Sequence, residues 1–466
     1  MNKEMEVEVN VEVDVKVEVN GTDEVGEEKK RDGIAPWRGL STEHLMAMRA
    51  EAAAKYETLK AKGLKLDLSR GKPSSDVLDL SNDLLDGIDT YNAEDGTDIR
   101  NYGVLAGLPE CKRLFSDLLG IPAGRMIVGG NSSLTHMYNT MAMLYLFGAA
   151  GGAAQGGGPW GSAGGVKFLC PCPGYDRHFS VTEDFGAEMA VVPQLEDGPD
   201  MDAVEALAAS DPAVKGIWII PLYSNPTGSV ISGEKAARLA SMKTAAPDFR
   251  IFWDNAYGVH HLWEEHTAPD ILKLCEEAGN PDRAFYFFST SKINFPGAGV
   301  GLVASSEANV ERMLSHLKMQ TIGFDKLMQL KTVKFFGGSA DNIRAHMKKI
   351  ATLLRPRFDL VLETLGREFA GTGILAWMPP KGGYFVSIDT LPGCAKAVVA
   401  MAKEAGVTLT GAGATYPYKT DPRDSNIRIA PTYPALPELG QAMELLALCI
   451  KLVSIDKLLA GQLAGR

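Results

Sequence analysis

Short apolar runs of strand length recur through the middle of the chain, with segments of helical periodicity between them. The runs at 167–170, 190–193, 216–221, 250–253, 285–288 and 300–304 are bounded by Gly, Pro, Asn, Asp or Ser. Segments 132–146, 201–209 and 233–245 instead place apolar residues three and four apart. With a further short strand at 125–129, this alternation predicts a doubly wound α/β domain whose mostly parallel sheet is flanked by helices. Upstream, 41–63 suits an amphipathic helix, and 64–80 reads as irregular around Arg70-Gly71-Lys72-Pro73. Downstream, a long helical stretch begins near 309–336, and strands at 384–388 and 426–429 lie between helices in a smaller α/β lobe.

Two segments break the pattern. Residues 1–32 alternate Val with Glu, Asp, Asn and Lys at strand period, but repeated acidic charge and the lack of large apolar residues predict a disordered tail. The alternative is a strand that pairs only in an oligomer. Residues 148–165 hold nine glycines and read as a flexible surface insertion. The expected organisation is an acidic leader (1–34), the first part of a small domain (35–85), a large domain (86–320) and the remainder of the small domain (321–466).

The 466 residues, 45% of them hydrophobic, can bury a sizeable core. A formal net charge of -11 disfavours nucleic acid and anionic membranes as general partners. No apolar run is long enough to span a bilayer, and the acidic N-terminus lacks the character of a targeting peptide, so a cytoplasmic protein is expected. Six irregularly spaced cysteines do not form a disulfide framework. Cys170-Pro171-Cys172 lacks the second pair that a zinc site needs, so no metal is expected.

Three motifs follow apolar runs and therefore fall at strand ends of one region: Ser224-Asn225-Pro226-Thr227-Gly228, Trp253-Asp254-Asn255-Ala256-Tyr257 and Ser289-Thr290-Ser291-Lys292. A lysine amine forms a Schiff base with an aldehyde cofactor, and a carboxylate facing a pyridine nitrogen keeps that nitrogen protonated. Lys292 and Asp254 suit these roles. Tyr257 and Asn225 suit hydrogen bonds to an anionic ring oxygen, which favour the charged state.

In this order and spacing, the motifs resemble those of fold-type I pyridoxal-phosphate aminotransferases. The resemblance extends from about Ala35 to the C-terminus. Leu68-Ser69-Arg70-Gly71-Lys72-Pro73 and Asn426-Ile427-Arg428-Ile429-Ala430-Pro431 are similar to the MocR-like branch that contains bacterial-type aspartate aminotransferases. The resemblance implies pyridoxal 5'-phosphate as cofactor and ping-pong transamination through Lys292. It gives Asn131, Ser132 and Ser289 to the cofactor phosphate, Tyr175 to stacking on the ring, and Tyr102 to the phosphate of a neighbouring subunit in a homodimer. Arg428 would hold the substrate α-carboxylate, its planar fork matching two parallel hydrogen bonds, and Gly71 would line the entrance.

Structural roles compete at several of these positions. Ser132 suits a helix cap, Tyr175 a packed aromatic and Arg428 an internal salt bridge. One departure stands out: many relatives carry an arginine several residues after the lysine, whereas Pro296-Gly297-Ala298-Gly299-Val300-Gly301 contains none. L-aspartate with 2-oxoglutarate is the substrate pair that the resemblance favours, with Lys72, Lys318 and Lys326 as candidates for a second carboxylate. Alternatives are an aromatic amino acid or kynurenine as substrate, or lyase or decarboxylase chemistry at the same constellation. MocR-type regulators carry a basic helix-turn-helix, which the acidic leader does not resemble, so DNA binding is not expected.

Overall fold

Continuous buried runs, capped by Ser and Asp, set the elements. The computed structural model describes residues 36–150 and 158–464. The chain opens with α1 (Thr42–Lys60), β1 (Leu66–Asp67), α2 (Ser75–Asp79) and α3 (Pro109–Leu119). The alternating region follows as β2 (Met126–Val128), α4 (Ser133–Phe147), β3 (Lys167–Cys172), α5 (Asp176–Asp184), β4 (Glu188–Leu195), β5 (Gly198–Pro199), α6 (Met201–Ser210) and β6 (Val214–Ile219). It continues through α7 (Gly233–Ser241), β7 (Arg250–Asp254), α8 (Ile271–Glu277), β8 (Ala284–Ser289) and β9 (Gly301–Ala304). Helices α9 (Glu307–Gln320), α10 (Lys326–Phe335) and α11 (Ala340–Phe369) lead to β10 (Leu375–Trp377), β11 (Val386–Thr390), α12 (Ala395–Glu404), β12 (Val407–Thr408), β13 (Asn426–Ile429) and α13 (Leu436–Ala464).

The main sheet has the order β2-β9-β8-β7-β6-β3-β4-β5. Its central run β8-β7-β6-β3-β4 is parallel, while β9 is antiparallel to both of its neighbours. Every residue of β6, β7 and β8 is buried, as expected for a sheet covered on both faces. Successive side chains feed opposite cores: Ile217, Ile251, Trp253, Tyr286 and Phe288 pack on one face, and Trp218, Phe252, Phe285 and Phe287 on the other. The expected α/β architecture is therefore present, and the carboxyl ends of the parallel strands share one edge.

A second sheet, β10-β11-β13, is antiparallel, and β1 pairs with β12 in parallel with Leu66 opposite Val407. Helix α1 lies along α13, joined by a Thr42 Oγ1 to Gln462 Oε1 hydrogen bond of 2.8 Å and an Arg49–Asp456 ion pair. The segment 64–80, expected to be irregular, holds β1 and α2; a two-residue strand whose partner lies in the last quarter of the chain leaves no local pattern. The helical stretch expected from 309 onward is interrupted between α9 and α10. There Gly323 lies so near Gly103 that a Cβ would come within 2.2 Å of the Gly103 carbonyl oxygen, and Asp325 caps the new helix by accepting from Met328 N.

The acidic leader and the centre of the glycine-rich segment lie outside the described residues. The end of that segment is anchored: Trp160 is buried, and its Nε1 donates to Asp248 Oδ2 at 2.9 Å, the same carboxylate that pairs with Lys215 at 2.6 Å. The other residues of 158–165 are exposed, as expected of a surface insertion, and Trp160 alone is buried. All six cysteines are free and buried, and no helix among the described residues is long and apolar enough to cross a membrane.

Replacing Trp160 by Ala should destabilise the protein by about 3–5 kcal/mol, the range for removing a large buried aromatic side chain. Denaturant melts of the variant beside wild type check this; an unchanged midpoint would show that Trp160 does not anchor the segment.

Candidate active site

The parallel strands deliver their end residues to one place. Asp254 is the last residue of β7 and is paired in register with Phe287 of β8. Ser289 ends β8, Lys292 follows in the next turn, Asn225 lies in the loop after β6, and Tyr175 immediately precedes α5 after β3. In open α/β sheets this carboxyl edge is where ligands bind.

Asp254 is almost fully buried, and its Oδ2 shares a 2.9 Å hydrogen bond with His178 Nε2. His178 is itself buried and stacks on Trp218 at 4.4 Å with an interplanar angle of 11°. Its ring edge meets Tyr175 at 5.0 Å. The other carboxylate oxygen, Asp254 Oδ1, is buried without a hydrogen-bond partner. A buried acceptor left empty is costly, so this oxygen calls for a ligand N–H.

Lys292 Nζ lies 5.1 Å from the centre of the Tyr384 ring and 6.0 Å from that of Tyr257. Its pKa is pulled down to about 8, first because burial penalises the charged amine and then because Arg428 repels it; Asp254 acts in the opposite direction. Burial raises the Tyr257 phenol well above its ordinary range. His260 donates to or accepts from nothing charged; its Nε2 contacts the Lys292 carbonyl at 3.2 Å, and burial lowers its pKa to about 3, leaving it neutral.

Arg428, at the centre of β13, points to the same edge. Its Nη1 donates to Asp176 Oδ1 at 2.8 Å and to Asn225 Oδ1 at 3.1 Å, and Nη2 donates to Thr410 Oγ1 at 3.2 Å. Phe385 supports the guanidinium, 4.8 Å from ring centre to Cζ. Gly71 lies against the same ring, and a Cβ there would come within 2.5 Å of Phe385 Cζ. Gly71 thus touches the aromatic that backs the arginine.

At the start of α4, Ser132 Oγ accepts from Leu134 N at 3.1 Å and caps the helix. Asn131 Nδ2 donates to the Gly297 carbonyl at 3.4 Å, while Ser291 Oγ donates to the Asn131 carbonyl and receives from Ser289 Oγ. The helix start and the Ser289–Lys292 turn are thereby tied together. A cavity of 320 Å³ beside them is lined by Asn131, Gly297, Asp325 and Met328 among others, but by no lysine or arginine among the described residues. Tyr102 is exposed. Of the lysines considered for a second carboxylate, Lys72 lies over the Tyr433 ring at 3.7 Å and Lys326 donates to the Gly103 carbonyl at 3.2 Å. Lys318 is exposed on α9. No group of three metal-ligating side chains is assembled among the described residues.

Sequence patterns missed His178, Asp176, Thr410 and Tyr384. Only His178 left a usable signal, one helical turn after Tyr175; the others depend on contacts between distant segments.

An α/β fold of this topology, with a lysine, an unsatisfied carboxylate and a buried arginine at the sheet edge, is that of a fold-type I aminotransferase. The chain matches the family described as aspartate amino-transferase over residues 40–462, and it belongs to that family. It is 46% identical over 420 residues to the aspartate aminotransferase of Corynebacterium glutamicum, covering 90% of this chain and 96% of the relative. The crystal structure of an aspartate transaminase from Corynebacterium glutamicum superposes with a TM-score of 0.88 at 45% identity, covering 91% of this chain and 99% of that one. Kynurenine aminotransferase of Pyrococcus horikoshii shares the fold, with a TM-score of 0.67 at 19% identity over 89% of this chain and 97% of its own.

The amine at Lys292 reacts only when neutral, so in cofactor-free protein its labelling by an amine-directed reagent should rise with pH through a midpoint at about 8. Asp254→Asn removes the group that raises this pKa and should move the midpoint downward. Peptide mass spectrometry across a pH series reads both, and a midpoint near that of an ordinary lysine would contradict the geometry.

Proposed function

We propose that this aminotransferase binds pyridoxal 5'-phosphate at the sheet edge and moves the amino group of L-aspartate to 2-oxoglutarate. The observation that carries the cofactor assignment is the orphaned Asp254 Oδ1, which a protonated pyridine nitrogen would satisfy while His178 holds the other oxygen. When bound, the cofactor supplies an aldehyde to capture an amine and a ring that accepts electrons.

The protein's own groups do the rest. Lys292, with its lowered pKa, supplies a neutral amine at mildly alkaline pH and is the base and acid that moves a proton at the substrate Cα. Tyr175 covers the ring, and Tyr257 and Asn225 hydrogen-bond its oxygen. Asn131, Ser132 and Ser289 meet the phosphate at the positive end of α4, where backbone N–H groups favour an anion. Arg428 takes the substrate α-carboxylate, and Gly71, against Phe385, borders that position. Exposed Tyr102 is free to reach a second subunit, giving a homodimer. The division into a large domain (86–320) and a small one (35–85 with 321–466) is supported by the pairing of β1 with β12. A cytoplasmic setting fits the buried free thiols.

Aspartate rests on the likeness to Corynebacterium glutamicum aspartate aminotransferase, close to half identical to this chain over most of its length in sequence and in solved structure. Adding L-aspartate without an oxo acid to the cofactor-loaded protein should convert the visible absorption of bound pyridoxal phosphate to that of pyridoxamine phosphate and release oxaloacetate. Lys292→Ala should show neither change. Alanine and carbon dioxide in place of oxaloacetate would overturn transamination, and conversion by kynurenine or an aromatic amino acid but not by aspartate would overturn the substrate.

A further inference from the structure

We infer that Asp176 is a place-holder carboxylate: it occupies Arg428 when the α-carboxylate position is empty, competes with substrate for that arginine, and so limits the affinity for carboxylates. The inference rests on the assignment of Arg428 as the substrate-carboxylate group.

The donor count of the guanidinium leads there. Both Nη1 hydrogens are committed, one to Asp176 Oδ1 at 2.8 Å and one to Asn225 Oδ1 at 3.1 Å. One Nη2 hydrogen goes to Thr410 Oγ1 at 3.2 Å. Nε is buried and has no partner. A carboxylate that meets the end of the fork, across Nη1 and Nη2, takes two parallel bonds there, and one Nη1 partner has to release its hydrogen.

Of the two partners, Asp176 is the one able to leave. Asn225 is 1% exposed and enclosed by the loop after β6, whereas the Asp176 side chain is 33% exposed beside an Arg428 side chain that is only 7% exposed. Asp176 is also the first residue of α5. A carboxylate there is favoured by the helix N-terminus after it lets go of the arginine. While the position is empty, Asp176 spares Arg428 the cost of an unpaired buried charge. The same contact places it one residue from Tyr175 and two from His178, so it belongs to the turn that also supports Asp254.

The test uses the full chain loaded with pyridoxal phosphate and succinate as an unreactive dicarboxylate probe, titrated by calorimetry at constant pH. Asp176→Asn, which preserves shape, and Asp176→Ala should each tighten succinate binding roughly two- to five-fold, the scale of a partly exposed ion pair. The KM for the amino-acid substrate should fall with it while kcat changes less. Asp176→Glu should restore the weaker binding of wild type. Unchanged or weaker binding in both the Asn and the Ala variant would overturn the inference and make Asp176 a support for Arg428 instead. Arg428→Lys separates the two levels: if it binds succinate as wild type does, the Arg428 assignment fails and the inference with it. If it loses binding while the Asp176 variants do not tighten, only the inference fails.

Discussion

The structure depends on holding one carboxylate in a dry place. Asp254 sits at the end of a fully buried strand, and taking a carboxyl group out of water without hydrogen-bond partners is costly in folding. His178 meets one oxygen, and the stack of His178 on Trp218 fixes the ring that does so. Two strands and a helix start must keep register for this contact to exist. The same burial lowers the Lys292 pKa, with Asp254 opposing the shift. The acid thus moderates the amine it faces, and the two groups cannot be tuned separately.

A second constraint joins the two sheets. Arg428 stands on β13, yet it is held by Asn225 and Asp176 from the edge of the main sheet. Its backing comes from Phe385, and Phe385 in turn requires a residue without a side chain at Gly71. Segments far apart in the chain therefore meet on one guanidinium. Charge, stacking and close backbone approach each supply part of the geometry, and none would place the arginine alone.

Much of this was legible in the sequence because strand ends leave local marks. Continuous apolar runs followed by Asn225-Pro226, Asp254 or Ser289 placed the edge residues on one side of a parallel sheet, and β7, β8 and β13 fall where the runs lie. Ser132 turned out to cap α4, the structural role that its position allowed, and that does not prevent its facing an anion. What stayed hidden has a common cause. Asp176 and Thr410 matter only through Arg428, β1 only through β12, and the break before α10 only through Gly103. Trp160 was obscured differently, because surrounding glycines masked a buried anchor within a segment of surface composition.

The pairing of Leu66 with Val407 also bears on how the chain is made. During synthesis β1 leaves the ribosome more than three hundred residues before its neighbour strand exists, and α1 waits longer still for α13. At about 5–20 residues per second, that interval is on the order of tens of seconds. For that period the apolar face of α1, including Leu45, Ala52, Tyr56 and Leu59, lacks its final partner, while the main sheet has every strand it needs by residue 304. The nascent protein should therefore present a finished sheet carrying an uncovered N-terminal helix, a natural target for a chaperone.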